Sequence, residues 1–186
     1  MDIHAEGRER RPARVVVGIS GSLGSLAALH RAVDEAHRRN AKVLAVLAWQ
    51  PPGGEHGYRR SPCPPLLAAV RAAAADRLRT ALDNAFGPAG PTVPLHAELI
   101  RAEPGAALAA LADRPDNLLV VGAGSGNWLS RGMRPSVTRF CVRHAACPVL
   151  VVPRPAMLRE LDWPRRLLRS WDTREARDTQ GAPCTP

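Results

Sequence analysis

The chain has 186 residues, of which 45% are hydrophobic and 4% aromatic, and its formal net charge is +9. That length and apolar content give one globular domain with a sizeable core and exclude a disordered chain; no apolar run is long enough to span a bilayer, so no membrane partner is expected. The charge is almost wholly arginine, interleaved with acids as at Arg159-Glu160 and Arg174-Glu175, with no lysine-rich arm or aromatic-basic module, so nucleic acid is not the expected partner.

Residues 1–13 are polar and charged and read as a disordered leader. Residues 15–19 form an apolar run, a first buried strand, and Ser20-Gly21-Ser22 makes the turn after it. Leu26, Leu29, Val33 and Ala36 then recur at helical spacing, which predicts a helix over 23–39 with its apolar face on a sheet. Asn40 suits the left-handed cap at its end. A second strand is predicted over 43–48, parallel to the first because a helix joins them. Residues 49–65 hold prolines, glycines and charge without a period, and read as a long loop.

An alanine-rich helix is predicted over 66–86, with Leu67, Val70, Ala74, Leu78, Ala81 and Leu82 in one stripe and Gly87-Pro88 as its stop. Val93, Leu95, Ala97 and Leu99 alternate with Pro94, His96 and Glu98, a half-exposed strand that Pro94 confines to a sheet edge. Pro104 opens a short helix over 105–112.

The most informative stretch runs from Asn117 to Pro153. It opens with an apolar run at 118–121, passes through a loop containing Gly122, Gly124, Gly126 and Gly132, and continues as an amphipathic helix headed by Ser136, whose hydroxyl suits an N-cap. Val137, Phe140, Cys141 and Ala145 share one side of that helix, and a last apolar run at 149–152 follows Pro148. Strand, loop, helix and strand make one βαβ unit, whose loop lies where free amides and the helix dipole favour phosphate. The count is five strands, mostly parallel, and four helices: an open α/β sandwich of the doubly wound class with helices on both faces.

From Arg154 the composition changes to arginine, acid and proline. Residues 154–186 read as a mostly disordered tail, or as a short amphipathic helix through Leu158, Leu161, Trp163, Leu167, Leu168 and Trp171 that docks on the domain or on a partner. The four cysteines, Cys63, Cys141, Cys147 and Cys184, form no C-x-x-C pair, and no signal peptide is expected, so the reading is a cytoplasmic protein with reduced thiols. His30 and His37, seven residues apart on one helix, do not form a metal pair. There is no Walker loop, dinucleotide fingerprint or G-x-S-x-G elbow.

Three segments together resemble the universal stress protein family, over residues 14–153. They are R-V-V-V-G-I-S-G-S-L-G-S-L-A-A-L from Arg14, A-E-P-G-A-A-L-A-A-L-A from Ala102, and the stretch ending R-H-A-A-C-P-V-L-V-V-P. The resemblance implies a five-stranded parallel sheet of order 3-2-1-4-5, a Rossmann-type sandwich like the adenine-nucleotide alpha-hydrolases. It also implies a homodimer joined through the last strand, 149–152, which would cover an otherwise open edge.

Some members of the family bind ATP through glycine, two residues, glycine, nine residues, glycine, then serine or threonine, and usually carry an aspartate just after the first strand. Laid on this chain, the pattern keeps Gly122 and Ser136 but puts Ser125 and Pro135 at the second and third glycines and Ser20 at the aspartate. Pro135 has no N–H to offer a phosphate, whereas Gly124 and Gly126 around Ser125 can shift the turn, and Arg131 or Arg134 can meet phosphate directly. The candidate nucleotide-binding residues are therefore Ser20, Gly122, Gly124, Ser125, Gly126, Arg134, Ser136 and Val137. Three readings stay open: a turn with no ligand, a weakened ATP site, and a site for another anion. No cofactor, metal or catalytic residue is otherwise expected. The expected function is a stress-response binding or regulatory module, with slow nucleotide hydrolysis or a tail-mediated adaptor as the alternatives.

Overall fold

The structure, a computed structural model, describes residues 13–123 and 136–155. The elements below lie in one unit, Met1–Pro153; all but the last residue of the leader and all but the first two residues of the tail lie outside the described residues.

In chain order the elements are β1 (Arg14–Gly18), α1 (Leu23–Arg39), β2 (Lys42–Trp49), α2 (Gly54–Arg60), α3 (Pro64–Phe86), a 3-10 turn (Gly87–Ala89), β3 (Leu95–Arg101), α4 (Pro104–Leu111), β4 (Leu118–Gly122), α5 (Val137–His144) and β5 (Val149–Val152). The five strands form one parallel sheet in the order β3-β2-β1-β4-β5; the apolar runs predict the five strands, and the resemblance implies their order.

The strands are continuous apolar runs because each must bury both faces. Val15 and Val17 of β1 point into one core with Ala28, Leu29 and Ala32 of α1 and Ala74 and Leu78 of α3. Val16, between them, points into a second core with Leu108 of α4, Leu119 and Val121 of β4, and Cys141 of α5. The same alternation divides β2, with Val43, Ala45 and Leu47 on the first face and Leu44 and Val46 on the second.

Local signals set the boundaries of α1. The Ser22 hydroxyl accepts the Ser25 amide at 3.3 Å, and Asn40 takes φ 47° at the carboxyl end, where its amide meets the His37 carbonyl. At the far end of the sheet, buried Asn117 accepts the Arg14 amide on its side-chain oxygen at 3.1 Å, which ties the start of β1 to β4.

Three expectations need correction. The aperiodic segment 49–65 contains a helix, α2, so the described residues hold five α-helices rather than four. Glu55 in its first turn and Arg59 and Arg60 in its last match the helix dipole, a signal too short to register as a period. Helix α3 starts two residues early, with prolines in its first turn where their missing N–H groups cost nothing. Strand β3 starts after Pro94, whose carbonyl accepts the Val43 amide at 2.9 Å, and Ala97 is exposed rather than buried. It does lie at an edge of the sheet.

Cys141 is fully buried, and that burial, helped by the Glu103 carboxylate, pushes its thiol from 9.0 up to about 11. The folded chain therefore holds this proton more tightly than the unfolded chain. The thiol's contribution to stability is complete below about pH 9 and is lost as pH rises through about 11. Urea midpoints of the wild type should fall more steeply across that window than those of a Cys141→Ala variant; parallel curves would show that the thiol is not sheltered.

Candidate functional site

The chain leaves β1 onto one face of the sheet through α1, whereas α5, after β4, packs on the other. Between the carboxyl ends of β1 and β4 the direction of winding reverses, and in open α/β sheets this switch point is where a crevice and its ligand usually lie.

Three segments reach this crevice: the turn from Ser20 into α1, the end of β4, and the start of α5. In the first, the Ser20 hydroxyl lies 2.9 Å from that of Ser22, and it accepts the Ser22 amide at 3.4 Å. Ser22 in turn caps α1, and the Ser25 hydroxyl donates to the Ser22 carbonyl at 2.8 Å. The serines thus form a local network that holds the turn. Gly21 takes φ +80°, and a Cβ there would lie 3.1 Å from Cγ of Arg77. The stem of Arg77, on α3, therefore rests on this turn. The sequence reading missed it because helical spacing places Arg77 only on the outer side of α3.

Gly122 ends β4 with little room. A Cβ at this position would lie 2.5 Å from the Gly24 carbonyl oxygen and 2.9 Å from its carbon. Both are backbone atoms of the first turn of α1 and cannot swing away. Gly122 is therefore required by helix-on-strand packing whether or not a ligand binds. Its carbonyl accepts the Thr138 hydroxyl at 3.3 Å, and the next amide, Ala123, donates to the Val152 carbonyl at 2.7 Å. The end of β4 is thus tied to both α5 and β5.

Ser136 stands at the N-cap of α5, and its carbonyl accepts the Phe140 amide at 2.9 Å. Its side chain makes no capping bond, contrary to expectation, and is exposed. Val137 is half-buried against the second core. Of the sequence-predicted site residues, Ser20, Gly122, Ser136 and Val137 are described, on the two strand ends and the helix start that border the crevice. Gly124, Ser125, Gly126 and Arg134 lie outside the described residues, as do Arg131 and Pro135.

The sequence model of the universal stress protein family matches residues 13–153. This chain belongs to the universal stress protein family. Among solved structures, the universal stress protein UspA from Lactobacillus plantarum is 25% identical, with 76% of this chain and 98% of that one covered and a TM-score of 0.52. The hypothetical protein MJ0577 is 14% identical over 77% of this chain and 96% of its own, with a TM-score of 0.58, a likeness of fold. A universal stress protein in complex with cAMP is 27% identical over 77% of this chain and 98% of that one, with a TM-score of 0.47. No curated protein matches the chain.

A second concavity in this universal stress protein domain lies further out, over the ends of β2 and β3. Trp49, Leu99 and Arg101 form its floor, and Pro64, Leu67, Ala68 and Arg71 of α3 form its wall. Arg101 donates from Nε to one oxygen of Glu55 at 2.7 Å and from a terminal nitrogen to the other at 2.9 Å. These bonds hold the Glu55 carboxyl below its ordinary range. The guanidinium carbon also stands 4.9 Å from the Tyr58 ring centre and 6.0 Å from that of Trp49.

The contact at Gly122 makes a measurable claim. A Gly122→Ala variant should lose about 1–3 kcal/mol of stability in urea titrations without any nucleotide, the usual cost of overpacking. Unchanged ligand-free stability would show that packing does not require the glycine.

Proposed function

We propose that this universal stress protein is a homodimeric binding or regulatory module whose ATP loop has degenerated, and that it is not an enzyme. The observation that carries this reading is Ser20. ATP-binding members of the family, as the resemblance implies, usually place an aspartate there to receive hydrogen bonds from the nucleotide's sugar. Here a neutral hydroxyl stands at that position, already 2.9 Å from the Ser22 hydroxyl. The sequence adds Pro135, which cannot donate to a phosphate. Gly122, which fits the binding pattern, is accounted for by its contact with Gly24 and lends a ligand no support.

The crevice segments Ser20–Ser22, Gly122–Ala123 and Ser136–Val137 carry no carboxylate or histidine to orient a water, which supports a non-catalytic role. A second reading, weak adenine-nucleotide binding, is favoured by Arg77, which rests on the Gly21 turn and offers a charge for phosphate. Among the described residues no helix is long and apolar enough to cross a membrane, and we assign the protein to the cytoplasm.

The proposed dimer forms through β5. This strand pairs with β4 on one side and ends the sheet on the other. Its Val151 is 39% exposed. An open apolar edge of this kind invites pairing with a second copy.

Isothermal titration with ATP and magnesium should give a dissociation constant no tighter than about 0.1 mM; micromolar binding would overturn the degenerate-loop reading. Light scattering should give a dimer for the wild type and a monomer for Val151→Lys with an unchanged circular dichroism spectrum. A variant that stays dimeric would place the interface elsewhere.

A further inference from the structure

We propose that the cleft over the carboxyl ends of β2 and β3 is a binding site for a small monocarboxylate with an apolar body, separate from the crevice between β1 and β4. The cleft measures about 460 Å³ and is lined by Trp49, Pro64, Leu67, Ala68, Arg71, Leu99 and Arg101. That volume lies within the range of small-ligand sites, about 300–1,000 Å³. Its lining divides sharply by chemistry: Pro64, Leu67, Ala68, Leu99 and the Trp49 indole offer apolar contact, and two guanidiniums supply the polar groups.

The charges select the ligand. Arg101 is held by its paired bonds to Glu55 and by the Tyr58 ring, so its orientation is set before any ligand arrives. Glu55 uses only one edge of the guanidinium fork, which leaves N–H donors that no described residue takes. Arg71, on the opposite wall, has no ion partner among the described residues. Arg101 is paired with Glu55, so Arg71 is the one charge lining the cleft without an ion partner among the described residues, and one carboxylate would neutralise it. A neutral apolar molecule would leave that charge uncompensated beside it. A polyphosphate would meet Glu55 and an apolar wall. Trp49 and Leu99 form a floor for the hydrocarbon part, and both pack on the first core, so the floor is rigid.

Octanoate is a suitable probe, with octan-1-ol as the control of equal body and no charge, both measured by titration calorimetry on the full chain. Octanoate should bind saturably in the submillimolar range and octanol at least roughly tenfold more weakly, since a hydrogen bond to a charged group is at stake. Arg71→Gln should weaken octanoate by roughly tenfold on the same ground. Ala68→Trp, at an exposed helix position in the wall, should block the cleft and abolish binding, with an unchanged thermal melt to show that the fold survives. Saturating ATP should leave octanoate binding intact. The proposal is overturned by no saturable heat up to about 10 mM octanoate, by equal affinity for octanol, by full binding in Ala68→Trp, or by displacement with ATP.

Discussion

A parallel sheet cannot leave a face to water, because its crossover connections run over both sides and its strands are apolar throughout. Strand β1 carries that constraint in its shortest form. Val15, Val16 and Val17 are buried at 1%, 0% and 0% exposure, alternating between the two cores. The five-strand order follows from covering this strand. Helix α1 and, through β2, helix α3 cover one face; the chain then returns past β1 to place β4, α5 and β5 on the other side. The switch point between β1 and β4 is the consequence of that reversal, since the connections after these two paired strands leave to opposite faces of the sheet.

Glycine at position 122 shows how one residue can answer to two demands. In a motif, a glycine at the end of a strand beside a helix start suggests a phosphate cradle. In the fold, the same glycine lets the first turn of α1 approach β4 to within the space of a single methyl group. The packing demand persists whether or not a ligand is bound. Family membership and a retained glycine therefore speak for the architecture of the crevice, and the residues around it, Ser20 and Arg77 above all, speak for its chemistry. A neutral hydroxyl in a serine network, with an arginine stem from α3 resting on the turn, gives this place a different polarity from one that carries an aspartate.

The outer cleft depends on a segment with no counterpart in the hydrophobic pattern. Helix α2 has no buried residue, so no core holds it. Its fixed points are polar: the Glu55 carboxylate on Arg101 and the Tyr58 ring beside the same guanidinium. An ion pair of this exposure stabilises little by itself. Its effect is geometric, since it fixes the direction of Arg101 at the mouth of an apolar cleft. Organisation of this kind concerns recognition rather than stability.

The sequence by itself determined the sheet and the helices that pack on it, because apolar periodicity and turn residues are local records of burial. The runs at 15–19, 43–48, 118–121 and 149–152 became strands within a residue or so, and α1 has its predicted bounds because Ser22 accepts a first-turn amide and the Asn40 amide donates to last-turn carbonyls. The family was legible for the same reason, since its motifs are contiguous. What only the tertiary structure decided depends on residues far apart in the chain. Gly24 against Gly122, Arg77 over Gly21, and Glu55 on Arg101 leave no period in the sequence, because each contact is made between separate elements once the sheet has brought them together.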